Sequence, residues 1–116
     1  MKREIKFRIW DTETNTFVGI SNHNSIFANE GILTKFFRND RYVLQQYVGK
    51  TEHGKEIYEG DIINGKANRY VVEYDENRSQ FVGRGIFYSK PTFDFEFIKN
   101  GILLGNIYEN PDRLTL

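Results

Sequence analysis

The chain has 116 residues, which is enough for one ordinary domain or two tightly joined subdomains. It has no cysteine, which excludes disulfides and cysteine-ligated metals, and its 16 basic and 16 acidic residues argue against a dedicated duplex-DNA binder. Aromatic residues make up 16% of the chain, and because aromatic and β-branched side chains suit a pleated sheet, the composition favours a mainly β protein.

The hydropathy pattern gives no sign of a membrane segment. No apolar run approaches the ~20 residues that a membrane-spanning helix needs. The opening stretch has a basic flank, but Glu4, Lys6 and Arg8 interrupt the apolar core that a secretion signal requires. We therefore expect no membrane partner and a cytoplasmic location in the host cell.

The N-terminal part predicts a small β-rich subdomain over residues 1–50. Ile5, Phe7 and Ile9 alternate with polar residues, which is typical of a half-buried strand whose odd positions face the core. Further along the chain we expect these elements: a turn at 11–16, a returning strand at 17–20, a short helix near 30–38 and a strand at 42–48.

A second subdomain is expected over residues 51–116, after the glycine-containing loop 49–55. About five or six short strands with frequent turns suggest a small SH3-like β-barrel. Other expected features are turns at Asn64-Gly65 and Asn100-Gly101, a bulge or bend near Gly83 and Gly85, a strand with Phe93, Phe95 and Phe97, and a helical turn after Asn110. The fold is therefore predicted as mainly β, and as α+β overall once the short helix is included.

Three segments carry a resemblance to a known family. They are the stretch from Arg3 to Arg8 with Trp10-Asp11, the residues 46–49 with 54–62, and the ending Gly105 to Pro111. In their order and in the short length of the chain, they resemble the YopX family of phage and prophage proteins. The resemblance implies a phage or prophage origin, an SH3-like C-terminal barrel and self-association. It implies no catalytic residues, because the family has no assigned function.

The segment GDI (Gly60 to Ile62) and the segment NIYENP (Asn106 to Pro111) are interpreted as structural joints. Gly60 can adopt the positive φ of a tight turn, and Asp61 can accept hydrogen bonds from nearby backbone N–H groups. In NIYENP, Ile107 and Tyr108 are expected to close the sheet. The alternative interpretation is a metal-dependent hydrolase whose carboxylates gather around a divalent cation; its candidate ligands are Glu56, Glu59, Asp61 and Glu109.

The N-terminal strand carries a candidate binding face. Lys6, Arg8 and Trp10 share one side of the predicted strand. Cations beside an aromatic plane suit single-stranded nucleic acid, in which bases stack and phosphates pair with positive charge. The alternative is that Trp10 packs against the neighbouring subdomain while Lys6 and Arg8 remain solvated.

No pattern of catalytic residues stands out in the sequence. His23 and His53 fall in predicted loops and have no Ser, Cys or Asp partner at a recognisable spacing, and Gly65-Lys66 lacks the rest of a phosphate-binding loop. We therefore expect no cofactor and no enzymatic activity. The leading hypothesis is a homo-oligomeric binding protein whose partner is a host or phage macromolecule.

Overall fold

In the computed structural model of the protein, the described residues are 5–18, 25–27, 39–65, 68–86, 91–92 and 100–114. These residues form mainly β structure, as predicted. The elements are β1 (Lys6–Asp11), β2 (Thr16–Phe17), β3 (Ser25–Phe27), β4 (Tyr42–Lys50), β5 (Glu56–Tyr58), β6 (Asp61–Asn64), β7 (Arg69–Asp75), β8 (Gln80–Gly85), β9 (Pro91–Thr92), β10 (Ile102–Asn106) and a 3-10 helix (Pro111–Leu114).

The strands form two sheets, and the chain divides into two units, Met1–Tyr47 and Val48–Leu116. The first sheet has the order β2-β1-β4-β5, with β3 also paired to β1, and the second has the order β10-β6-β7-β8-β9. The boundary between the units falls inside β4, so the division at residues 50 and 51 remains a prediction. The helix expected near 30–38 lies outside the described residues, and so does the strand expected at 93–97.

In the N-terminal unit, β1 pairs antiparallel with β4, and fully buried Ile9 packs against Val18, Tyr42 and Leu44. The expected alternation along β1 is wrong. The side chains of its even positions are not on a solvent face; those of Lys6 and Trp10 are buried, while Ile5 is half exposed.

The physical reason is the covering of the even face of β1 by aromatic side chains from its neighbours. The ammonium of Lys6 lies 4.7 Å from the centre of the Tyr47 ring. Trp10 packs edge-on against Phe17, with ring centroids 4.8 Å apart. A strand that is covered on both faces shows no polar–apolar contrast in burial.

In the C-terminal unit, the second sheet curls into a half-barrel. Its core consists of buried Ile57, Ile63 and Val72, with three partly buried side chains packed against them: Val48, Phe81 and Leu103. The prediction of a barrel-like β unit is thus confirmed in its coarse form, as a curled antiparallel sheet.

Of the bulge or bend expected near Gly83 and Gly85, the bulge is wrong, and a bend follows directly at Ile86. Strand β8 runs without a register shift, and Gly83 and Gly85 lie directly opposite Val72 and Tyr70. Glycines at these positions leave room for the larger partners and do not interrupt the pairing. The irregularity falls in β10, where the register with β6 shifts between Leu103 and Gly105. Among the described residues, no helix has the length and apolar character needed to span a membrane.

Candidate functional site

The turn between β5 and β6 is built as the sequence predicts. Gly60 has a φ of 89°, which favours glycine. The carboxylate of Asp61 is 1% exposed, and its Oδ2 accepts the backbone N–H of Tyr58 at 2.7 Å. Ile57 and Ile62 flank this turn and are fully buried. The carboxylate therefore closes the turn from inside the protein.

A second turn follows β10, and there too a side-chain oxygen accepts backbone N–H groups. The Oδ1 of Asn106 accepts the backbone N–H groups of Tyr108 at 3.0 Å and Glu109 at 2.9 Å. In return, Oδ1 of Asn110 accepts the backbone N–H of Asn106 at 3.2 Å. Strand β10 ends at Asn106, so Ile107 and Tyr108 lie in the turn and not in the sheet.

The two turns meet in space. The backbone N–H of Ile107 donates to the carbonyl oxygen of Gly60 at 3.0 Å, and Asp61 pairs with Asn106 across β6 and β10. The N–H of Gly60 donates in turn to the carbonyl oxygen of Val72 in β7, at 2.8 Å. We call residues 59–61 and 105–110 the paired turns. The paired turns contain most of the two segments that were interpreted as joints.

Three of the four candidate metal ligands, Asp61, Glu109 and Glu56, accept hydrogen bonds from neighbouring residues. Besides the Asp61 bond, Oε1 of Glu109 accepts Nδ2 of Asn106 at 2.8 Å, and Oε1 of Glu56 accepts the hydroxyl of Tyr58 at 3.4 Å. Within the described ranges, no three His, Asp or Glu side chains are grouped so that they could hold a metal ion. The geometry therefore gives the hydrolase hypothesis no support.

The fourth of these carboxylates, Glu59, is close enough to Tyr108 to affect its titration. Burial raises the pKa of the Tyr108 hydroxyl, and the negative charge of Glu59 raises it further. Both effects favour the protonated form of the phenol.

The candidate binding face on β1 is more enclosed than its sequence pattern indicates. Trp10 is 4% exposed and Lys6 is 7% exposed, whereas Arg8 is partly exposed. The Nε and Nη2 of Arg8 both donate to Oε1 of Gln45, at 2.8 and 2.6 Å, and its guanidinium lies 4.4 Å from the centre of the Phe17 ring. The guanidinium is thus held in a fixed orientation. Binding by this face remains a prediction.

The sequence analysis missed the partners that orient this face. Gln45 lies directly opposite Arg8 in the β1–β4 register, and Phe17 lies opposite Trp10 in the β1–β2 register. These pairs become visible only when the strand register is known, because residues directly opposite each other on neighbouring strands are in contact.

A second missed contact joins the ends of β1 and β4. The guanidinium of Arg41 donates twice to the carboxylate of Asp11, from Nε to Oδ1 at 2.8 Å and from Nη2 to Oδ2 at 2.7 Å. Oδ1 also accepts the backbone N–H of Glu13 at 2.9 Å. The Arg41 hydrogen bonds hold the pKa of Asp11 well below its ordinary value, and the Glu13 N–H adds to this effect.

The histidines offer no catalytic arrangement in the described part of the chain. The side chain of His53 is 79% exposed, and its Nε2 lies 3.4 Å from the neighbouring Glu52 carboxylate. His23 lies outside the described residues. No catalytic role is assigned to either residue.

The geometry describes a small, mainly β protein made of two antiparallel sheets, whose acidic turn residues hold the fold together. The YopX protein family model matches residues 6–115, and the chain belongs to this family. Its fold is similar to that of protein EF1440 from Enterococcus faecalis, with a TM-score of 0.61 and 23% identity over 96% of this chain and 98% of that one. At this identity, the likeness concerns the fold alone. No curated protein matches this sequence.

Proposed function

We propose that this YopX-family chain is a phage or prophage accessory protein that works by binding and not by catalysis. It assembles with copies of itself or binds a host or phage macromolecule in the host cytoplasm. The observation that supports this proposal is the use of the carboxylates at the paired turns. Asp61 accepts a backbone N–H, and Glu109 accepts a side-chain amide of its own turn. Carboxylates that accept hydrogen bonds within their own turns stabilise the fold.

The curled sheet of the C-terminal unit suits such a role. We propose that it is the wall of an SH3-like barrel, which would supply strand edges and loops for recognition. Short antiparallel strands joined by turns support this proposal. Recognition by strand edges needs no dedicated catalytic group.

Two measurements test the proposal together. Sedimentation velocity of the purified protein over a range of concentrations reports self-association, and affinity capture from phage-infected cells reports other partners. We expect concentration-dependent assembly or a partner that is captured reproducibly from infected cells and not from uninfected ones. A protein that remains monomeric and captures nothing in repeated experiments would contradict it.

A second candidate function is binding of single-stranded nucleic acid by the face that carries Lys6, Arg8 and Trp10. The supporting observation is that cations and aromatic rings alternate there, with Arg8 over Phe17 and Lys6 over Tyr47. Because Trp10 is buried, the bases would stack on the partly exposed rings of Phe17 and Tyr47.

Arg8→Gln tests this second candidate, with Arg78→Gln as a matched control on the exposed β7–β8 turn. We expect wild-type protein to bind a single-stranded oligonucleotide with an affinity that falls as salt rises. Arg8→Gln should weaken that binding, and Arg78→Gln should leave it unchanged. Binding that is absent, or that does not depend on salt, excludes this function.

A further inference from the structure

The last strand of the half-barrel carries no side-chain charge of its own that would protect its edge. Within the described part of the chain, β10 stands at the end of the strand order and has β6 as its neighbour. Its sequence, ILLGN, has no charged residue, and Ile102 is 64% exposed. Edge strands often carry a charged residue such as Lys, or a Pro that lacks a backbone N–H, and either one hinders pairing with a further strand. At the other end of the sheet, β9 begins with Pro91.

Among the described residues, the segment that follows β10 lies against this strand. The 3-10 helix Pro111–Leu114 packs against β10, and the Nη1 of Arg113 donates to the carbonyl oxygen of Leu104 at 2.9 Å. Leu104 is the residue that the bulge leaves out of the register with β6. A cationic side chain therefore occupies a backbone acceptor of this strand.

Arg113 is itself held in place at two points. Its backbone N–H donates to the carbonyl oxygen of Asn110 at 3.0 Å, and its carbonyl oxygen accepts Nη1 of Arg69 in β7 at 3.1 Å. The segment is thus fastened both to the paired turns and to the sheet. We call Pro111–Leu114 the C-terminal clasp.

We propose that the C-terminal clasp is an autoinhibitory contact, which blocks antiparallel pairing of β10 with β10 of a second copy of this chain. Pairing between two identical antiparallel strands is self-complementary, so one uncharged strand can serve as both partners. The pairing would cover the exposed Ile102 of each copy, and no charge on β10 opposes it. Release of Arg113 is the step that opens the edge.

Arg113→Ala tests the clasp, and Arg78→Ala is the matched control, because Arg78 is an exposed arginine that bonds to Asp75 in the β7–β8 turn. Sedimentation velocity is run on each variant over a range of concentrations. We expect Arg113→Ala to associate at about tenfold lower concentration than wild type. Arg78→Ala should behave as wild type does, and Arg113→Lys should largely restore the wild-type behaviour, because lysine keeps a cationic donor.

The double variant Ile102→Lys with Arg113→Ala checks that β10 is the surface involved. A charge at the exposed end of the strand should reverse the added association. Circular dichroism and thermal unfolding confirm that each variant is folded, and Arg113→Gln replaces Arg113→Ala if the alanine variant does not fold. Folded Arg113→Ala or Arg113→Gln protein that associates no more than wild type would overturn the clasp.

This inference goes beyond the proposed function, and the two can fail separately. If wild type assembles and neither Arg113→Ala nor Ile102→Lys changes the assembly, the clasp is wrong and self-association stands. If wild type is monomeric and captures no partner while folded Arg113→Ala associates through Ile102, the clasp stands and the proposed function of the intact chain is wrong.

Discussion

The backbone N–H of Ile107 donates to the carbonyl oxygen of Gly60 across 3.0 Å, and this bond joins turns that are far apart in the sequence. The same glycine donates its own N–H to Val72 in β7. Gly60 therefore connects the turn before β6, the turn after β10 and the neighbouring strand β7. The GDI and NIYENP segments of the YopX resemblance are thus two parts of one structural joint.

The first prediction concerns Gly105, which has a φ of 143° and faces Asn110. A Cβ at this position would collide with Oδ1 and Cγ of Asn110, the side chain that bonds to Asn106. Gly105→Ala should therefore lower the free energy of unfolding by about 3 kcal/mol, because backbone strain and collision add together. Urea denaturation measures the change.

The control for this prediction is Gly54→Ala. Gly54 has a φ of 81°, but a Cβ there would meet no atom within 4 Å. It should therefore suffer only the strain of the left-handed backbone, roughly 1–2 kcal/mol. Equal losses of stability in the two variants would show that Asn110 adjusts freely and that the turn after β10 is not a rigid joint.

The second prediction concerns Asp61, whose carboxylate is buried against the N–H of Tyr58. Asp61→Ala leaves that N–H without its acceptor and should lower the free energy of unfolding by about 2 kcal/mol. Asp61→Asn keeps the size and one acceptor oxygen, so it should lose less. Thermal and urea unfolding compare the two variants. An asparagine variant that is as unstable as the alanine variant would show that the charge matters more than the hydrogen bond.

The sequence made the paired turns predictable because their interactions are local. Asp61 bonds to an N–H three residues earlier, and Asn106 bonds to the N–H groups of Tyr108 and Glu109. Side chains of Asp and Asn bond to nearby backbone in this way in many turns. The tight turn predicted at Gly60 and Asp61 is therefore present, whereas Ile107 and Tyr108 lie in a turn and do not close the sheet.

The contacts of β1 were not predictable for the opposite reason. Arg8 reaches Gln45, and Asp11 reaches Arg41, through the register between β1 and β4. A single sequence does not contain that register, and a shift of one residue would exchange the faces of the strand. The bulge at Leu104 was missed likewise, because it is defined by the register between β10 and β6.

The third prediction is an acid-dependent loss of stability through Asp11. Its pKa lies well below the ordinary value because Arg41 donates to it, so the folded protein binds fewer protons than the unfolded chain. The stabilisation is present above the unfolded pKa of about 4 and is lost as pH falls through the folded pKa. Asp11→Asn should lower the melting temperature at pH 7, and its difference from wild type should shrink below about pH 4.

The control is Glu13→Gln, which removes the other carboxylate near Arg41. Glu13 is 68% exposed, and its Oε2 lies 3.3 Å from Nη1 of Arg41. Exposed ion pairs contribute about 0–1 kcal/mol, so this variant should differ little from wild type at any pH. Thermal unfolding from pH 2 to pH 7 compares all three proteins. A constant difference between Asp11→Asn and wild type over that range would show that the linkage does not arise from Asp11.

The fourth prediction is that Ser79→Gly stabilises the protein. Ser79 has a φ of 53° at the end of the β7–β8 turn, a conformation that strains a non-glycine residue by roughly 1–2 kcal/mol. Glycine removes this strain and loses roughly 0.5–1 kcal/mol to the greater freedom of the unfolded chain. The expected net gain in urea denaturation is about 0.5 kcal/mol.

Asn15, with a φ of 54°, is the comparison, because asparagine tolerates this conformation better than serine. Asn15→Gly should therefore bring no gain, and a Ser79→Gly variant less stable than wild type would show that the serine side chain stabilises the turn by more than its backbone strain.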